Sequence, residues 1–182
     1  DKGIVALEQA RASYEAREDI QGIYFRKTYA SELIKLESQQ EDYETLYKRF
    51  ETFAEYILDY YVLVFSERAF EGEMEMLPPE ARAAVYINAM LGCAQNDWES
   101  KIAYLRESAK SYVALGNNIK KLAQFMGEKQ KSEKSNAANA ELMQMVGLMK
   151  GRIRDMVQQG LKEDALAVLT QVRSLVPTDR EL

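Results

Sequence analysis

Residues 43–65 read YETLYKRFETFAEYILDYYVLVF, and the apolar positions in this stretch decide the fold class. They recur at intervals of three and four residues: Tyr43, Leu46, Tyr47, Phe50, Phe53, Ala54, Ile57, Tyr61, Val64 and Phe65. That spacing places them on one face of an α-helix, because one turn takes about 3.6 residues. The pattern predicts one long amphipathic helix that ends near Phe70. Aromatic residues at this spacing are typical of a protein core.

The sequence on both sides of this stretch contains further helical patterns and few residues that interrupt a helix. Two shorter patterns precede it, over residues 4–14 and 20–37, and Asp19 is placed to begin the second. The chain has three Pro and nine Gly in 182 residues. A protein of many strands needs turn residues about every 8–12 positions, so a β-rich fold is excluded. We therefore predict an all-α fold.

The clearest interruption is the segment EGEMEMLPPE at residues 71–80. Gly72 favours the end of one helix, and Pro78 and Pro79 suit the first turn of the next. We predict a domain boundary here. Residues 1–76 then form an N-terminal helical segment that contains the long amphipathic helix, and residues 77–182 form a second helical region.

The second region shows five helical patterns. They cover residues 79–94, 98–115, 117–126, 137–159 and 162–175. The first is predicted to bury Val85, Ala89 and Gly92, and either Asn96 or Asp97 is predicted to cap the second. The run EKQKSEKS at residues 128–135 follows Gly127 and is interpreted as a solvated helix end or a loop, because its Glu residues neutralise its Lys residues.

Charge and hydropathy limit the possible partners. The formal net charge is −5, whereas nucleic acids and anionic membranes are bound through clustered Lys and Arg, so we expect no nucleic-acid partner. No apolar run is long enough to span a membrane, and the charged start DKGIVALEQARASYEAR is unlike a secretory signal. We expect no membrane insertion and a cytoplasmic location. The first residue, Asp1, suggests a piece of a longer or processed protein.

The chain lacks the residues that most often carry catalysis or bind metals. Histidine is absent and Cys93 is the only cysteine, so the usual general base, the usual zinc ligand and an internal disulfide are missing. The eight Met residues are spread over several helices, which indicates core packing rather than a soft-metal site. We expect no cofactor and no bound metal.

Residues 158–179, QQGLKEDALAVLTQVRSLVPTD, have the layout of the second half of a helix pair. Gly160 ends the first helix, and Ala165 is a small residue where two helices cross closely. Leu169 and Val172 fill the seam, and Pro177 stops the second helix. This layout resembles a tetratricopeptide repeat. A weaker copy begins near residue 82.

The tetratricopeptide resemblance implies a fold and a binding surface. The fold would consist of antiparallel helix hairpins stacked as a short tetratricopeptide-like α-α superhelix, with a groove on the first helix of each pair. The residues implied as groove contacts are Tyr86, Met90, Lys150 and Arg154. Lys150 and Arg154 lie one turn apart and are suited to a carboxylate or phosphate group, although a plain solvated face has the same pattern.

A narrower resemblance rests on LPPEAR at residue 77, on NDWESKIAYLR at residue 96 and on the closing VPTDREL. These segments resemble the helical region that follows the catalytic domain in some bacterial family 2 glycosyltransferases. The resemblance covers mainly residues 77–182, and it implies that the sugar-transferring machinery lies outside this chain. No Asp-X-Asp metal motif of those enzymes is present.

These patterns favour a non-catalytic helical-repeat module for protein–protein interaction or scaffolding. Its partner would be a protein, a peptide or the catalytic domain of its own parent protein. One alternative is a homo-oligomerisation domain in which the aromatic stripe from Tyr43 to Phe65 faces another copy. A second is a helical enzyme that uses carboxylates such as Glu73, Glu75, Asp97 or Glu99, all of which have the positions of helix caps and surface charges.

Overall fold

The computed structural model describes residues 2–36, 40–65 and 72–176, and these contain helices and no β-strand. The helices are α1 (Lys2–Tyr14), α2 (Ile20–Lys35), α3 (Tyr43–Phe65), α4 (Pro79–Leu91), α5 (Trp98–Ser111), α6 (Gly116–Gln158) and α7 (Lys162–Leu175). Short 3₁₀ turns, Met74–Met76 and Val113–Leu115, precede α4 and α6. The all-α prediction is confirmed. The predicted helix end near Phe70 and the predicted helix stop at Pro177 lie outside the described residues.

None of the helices in these described ranges combines the length and the apolar character needed to cross a membrane. By its internal contacts the chain divides into two compact units, unit 1 (Asp1–Gln130) and unit 2 (Lys131–Leu182). This division differs from the one predicted between residues 76 and 77. Helices α3 and α4, on either side of that position, pack against each other within unit 1. The segment between them therefore connects two helices of one core, and its Leu77 is buried.

The core of unit 1 forms where consecutive helices pack together. Helix α1 packs against α2, α2 against α3, α3 against α4, and α4 against α5. The largest fully buried side chains are Ile34, Leu46, Phe50, Phe53, Ile57, Ile87, Met90, Leu105, Leu115, Leu122 and Met126. Helix α3 contributes four of them at the predicted spacing, which confirms its amphipathic face. Fully burying one such side chain stabilises a fold by about 1.5–3 kcal/mol.

Two helix starts follow the capping chemistry that the sequence indicates. The Asp19 side chain accepts a hydrogen bond from the backbone nitrogen of Gly22 (2.9 Å), and the Asp97 side chain accepts one from Ser100 (3.2 Å). Each bond satisfies a backbone N–H group that has no partner inside the helix. Of the two residues predicted as the cap of α5, the structure selects Asp97 and not Asn96.

Unit 2 contains the second part of α6, a short turn and α7. Gly160 has φ of 80°, a left-handed conformation that favours glycine. The backbone nitrogen of Gly160 donates to the carbonyl oxygen of Val157 (3.1 Å), and the backbone nitrogen of Leu161 donates to the carbonyl oxygen of Met156 (2.9 Å). These two bonds form a Schellman motif, so Gly160 ends α6 as predicted. Ala165 and Val172, predicted to lie at the seam, are buried, and Leu169 is half-buried.

Helix α4 buries a different face from the one predicted. Val85 and Ala89 are half-buried and Gly92 is exposed, whereas the buried side chains include Ile87 and Met90. Small residues occur on several sides of this helix, so the sequence alone does not mark which side its neighbours cover. The packing of α3 on one side and α5 on the other determines the buried face.

Helix α6 is continuous where two helices were predicted. It passes through Gly127 and the run 128–135 without a break, so the interpretation of that run as a helix end or loop is wrong. The run consists of Glu, Lys, Gln and Ser, which are tolerated in helices, and one glycine costs only about 1 kcal/mol. Residues 131–141 are all exposed, so this part of α6 buries nothing.

The exposed part of α6 is expected to be helical yet weakly protected. Residues 131–141 should show helical carbon chemical shifts, while their amides open at a cost of about 1 kcal/mol or less because no packing restrains them. Amides of residues 119–126, which include three core side chains, should exchange far more slowly. Nuclear magnetic resonance of the intact chain measures both. Random-coil shifts over residues 127–135 would contradict the continuous helix.

Candidate functional site

The residues predicted as groove contacts occupy different environments. Tyr86 on α4 is half-buried, but Met90 on the same helix is completely buried in the core of unit 1. Met90 is therefore a packing residue, and its prediction as a groove contact is corrected: it lies on the side of α4 that the core covers. On α6, Lys150 is half-buried and Arg154 is exposed, and both belong to unit 2.

A buried carboxylate joins three helices of unit 1. The hydroxyl of Ser31 on α2 donates to Oε1 of Glu80 on α4. The hydroxyl of Tyr61 on α3 donates to Oε2 (3.3 Å), and Nζ of Lys27 on α2 lies 2.8 Å from the same oxygen. Glu80 occupies the first turn of α4, where the helix dipole favours a negative charge. Its carboxylate is therefore buried with partners on both oxygens, which offsets the cost of removing it from water.

Aromatic rings extend from this carboxylate to the surface. The Tyr61 ring stacks on Phe65 with centroids 5.6 Å apart and contacts the edge of Tyr60 at 5.1 Å. Tyr60 contacts Tyr24 of α2 at 5.9 Å. Nζ of Lys27 lies 5.5 Å from the centre of the Tyr60 ring. The start of α2 and the end of α3 are thus held side by side.

Exposed apolar side chains cover this end of α2 and α3. We call them the apolar end surface: Ile20, Tyr24, Val62, Leu63, Val64 and Phe65. A shallow recess of about 480 Å³ adjoins them, between Ile23 of α2 and Leu58 of α3, with Arg26 and Asp59 in its lining. The last turn of α3 is apolar on all sides, and within the described part of the chain its side chains are partly exposed, as in surfaces that bind a partner.

From the sequence, this surface is not separated from the rest of the aromatic stripe of α3, which is assigned to the core or, in the alternative, as a whole to contact with another copy. The missed signal is present in the sequence: residues 60–65 are apolar or aromatic without a break, whereas earlier turns of α3 alternate between apolar and charged positions. An unbroken run at a helix end indicates apolar side chains on more sides than one neighbouring core can cover.

The carboxylates considered for catalysis do not converge with other reactive groups. Asp97 caps α5, and Glu73, Glu75 and Glu99 are exposed. Within residues 2–36, 40–65 and 72–176, no group of three or more His, Cys, Asp or Glu side chains is placed to hold a metal ion. The geometry at this end of unit 1 is suited to binding an apolar surface.

Removing the buried carboxylate should destabilise unit 1. The substitution Glu80→Ala leaves the Ser31 hydroxyl and the Lys27 ammonium without their partner, and we expect the free energy of unfolding to fall by about 2–4 kcal/mol. Urea unfolding followed by fluorescence of Trp98, the only tryptophan, measures the change. The control Glu75→Ala, at an exposed position, should change it by less than about 0.5 kcal/mol. Equal effects of the two variants would contradict the assigned role of Glu80.

Stability at high pH should depend on Tyr61. Burial, together with the neighbouring Glu80 carboxylate, raises the pKa of Tyr61 to about 12 from its ordinary value of 10.0. A raised pKa in the folded state means that the stabilisation is complete below pH 10 and is lost as pH rises through 12. Urea midpoints at pH 9, 10 and 11 should therefore fall, and they should fall less steeply in Tyr61→Phe. An identical slope in the variant would contradict this coupling.

Comparison of the chain with models of protein families, with curated proteins and with solved structures gave no match. The resemblances to tetratricopeptide repeats and to the helical region of bacterial glycosyltransferases therefore stay predictions from the sequence.

Proposed function

We propose that this chain is a non-catalytic helical module for protein–protein interaction or scaffolding, and that it belongs to a larger bacterial protein such as a glycosyltransferase. The apolar end surface is the observation that carries the proposal. Leu63 is 52% exposed and Phe65 is 49% exposed, although both belong to the helix that supplies Phe50, Phe53 and Ile57 to the core. Contiguous exposed apolar side chains of this kind mark interaction sites in folded proteins.

The contacts beneath the surface support a binding role. Tyr61 is held through Glu80 and stacks on Phe65, so part of the surface is ordered before a partner arrives. A surface ordered in advance loses less conformational entropy on binding. The tetratricopeptide-like arrangement of hairpins remains part of the proposal and is supported by the Gly160 turn and by the buried Ala165 of unit 2.

Self-association is the second candidate function, in a form that differs from the one predicted. Phe50, Phe53 and Ile57 are buried in the core, so the central part of the aromatic stripe is not available to another copy. The last turn of α3 is available. Arg26 and Asp59 both line the adjoining recess, and opposite charges on one patch allow the patch to pair with itself across a two-fold axis.

The double variant Leu63→Glu with Phe65→Glu is expected to abolish binding without unfolding the chain, since both side chains are exposed. Sedimentation of the wild type, of this variant and of the control Val113→Glu separates the two candidates. Val113 is 84% exposed, lies in a 3₁₀ turn and is not one of the residues of the apolar end surface, so its variant introduces the same kind of charge outside that surface. Self-association is the function if the wild type is a dimer, the double variant is a monomer and the control variant remains a dimer.

If the wild type is a monomer, the next experiment uses the parent protein. A photo-crosslinking residue at position 63 of the full-length protein should capture a defined partner or the parent catalytic domain, and one at position 51, where Glu51 is exposed on α3, should not. If the wild type is monomeric and position 63 gives no product beyond that of position 51, the proposed function is overturned.

A further inference from the structure

A second recess of unit 1 lies where α1, α2 and α3 meet. Its volume is about 260 Å³. Helix α3 presents Lys48, Arg49 and Thr52 to it, at a spacing that forms a polar stripe beside the apolar stripe of the core. Helix α1 contributes Glu8 and Arg11.

The recess exists because α1 is attached loosely. No residue of α1 is buried. Its contacts with α2 include the stacking of Tyr14 on Phe25, with centroids 4.3 Å apart, and the guanidinium of Arg11 over the ring of Tyr29 at 5.6 Å. These contacts hold α1 against α2, while the polar stripe of α3 offers no apolar surface to draw α1 closer.

Cations outnumber carboxylates in the lining of this recess. Lys48, Arg49 and Arg11 face one carboxylate, that of Glu8. Two of the cations also have partners: Glu15 accepts hydrogen bonds from both Nε (3.0 Å) and Nη2 of Arg11, and Glu41 forms an ion pair with Arg49.

Lys121 reaches the same Glu41 carboxylate at 3.6 Å. Arg49 is fixed in place by Nη1, which donates to the oxygen of Leu36 (3.0 Å). Its guanidinium has five N–H donors in all, and one side-chain nitrogen suffices for both of these partners.

We infer that this recess binds an oxyanion, either a phosphoryl or a carboxylate group, between α1 and α3. Lys48 supplies a mobile ammonium, Arg49 a fixed guanidinium, and the hydroxyl of Thr52 a neutral donor on the same stripe. Arg11 approaches from α1. A bound anion thus bridges two helices that the apolar core does not join, and it stabilises α1 in its position. This site is independent of the apolar end surface.

Titration calorimetry of the intact chain tests the site with inorganic phosphate and with succinate, each at a fixed ionic strength set with sodium chloride. The substitution Lys48→Gln should weaken binding by about two- to fivefold, the range expected for an exposed charge. Glu8→Gln, which removes the opposing carboxylate, should strengthen it by a similar factor. The control Lys120→Gln removes an exposed lysine of α6 that does not line the recess, and it should leave affinity unchanged.

Hydrogen exchange supplies a readout that nonspecific charge screening does not change. Amides of residues 8–14 on α1 should become more protected when the anion binds, and amides of residues 102–109 on α5 should not. Binding of phosphate alone or of succinate alone supports the site and identifies the oxyanion class. The inference is overturned if neither anion binds at millimolar concentration, if Lys120→Gln and Lys48→Gln have the same effect, or if α1 gains no protection.

Discussion

Burial of Phe50, Phe53 and Ile57 against α2 and α4 is the contact on which the other helices of unit 1 depend. By the usual area scale, these three side chains contribute roughly 5–9 kcal/mol, which is comparable with the whole net stability of a small domain. Helix α3 is therefore the element around which α2 and α4 are arranged. Helix α5 then packs on α4, so its position follows from that of α4.

Buried charge determines how the helices meet along α3. Near its start, the carboxylate of Glu41 pairs with Arg49 and lies near Lys121, held by charge more than by well-directed hydrogen bonds. Near its end, the Glu80 carboxylate accepts hydrogen bonds from the hydroxyl groups of Ser31 and Tyr61 and forms an ion pair with Lys27. Buried pairs of this kind add little net stability over apolar residues, but leaving one partner alone is costly. They therefore disfavour arrangements in which α2, α3 and α4 slide along one another.

Both proposed binding sites lie on parts of α3 that are outside its covered apolar stripe. At the last turn of α3 the apolar side chains continue beyond the neighbouring helices, which leaves the apolar end surface. On the side that faces α1 the stripe gives way to Lys48 and Thr52, which leaves a polar recess. One helix thus provides a core in the middle, an apolar surface at one end and a cationic cleft on another face. The two surfaces differ in chemistry, so they are suited to different ligands.

The sequence by itself determined the features that depend on neighbours along the chain. The helical class, the apolar face of α3, the cap at Asp19 and the turn at Gly160 all follow from local spacing and backbone chemistry, which act within a few residues. Only the tertiary structure decided that Met90 is buried and that Phe65 is exposed. These outcomes depend on which distant helix covers a given face, and the pattern of one helix does not record the position of another.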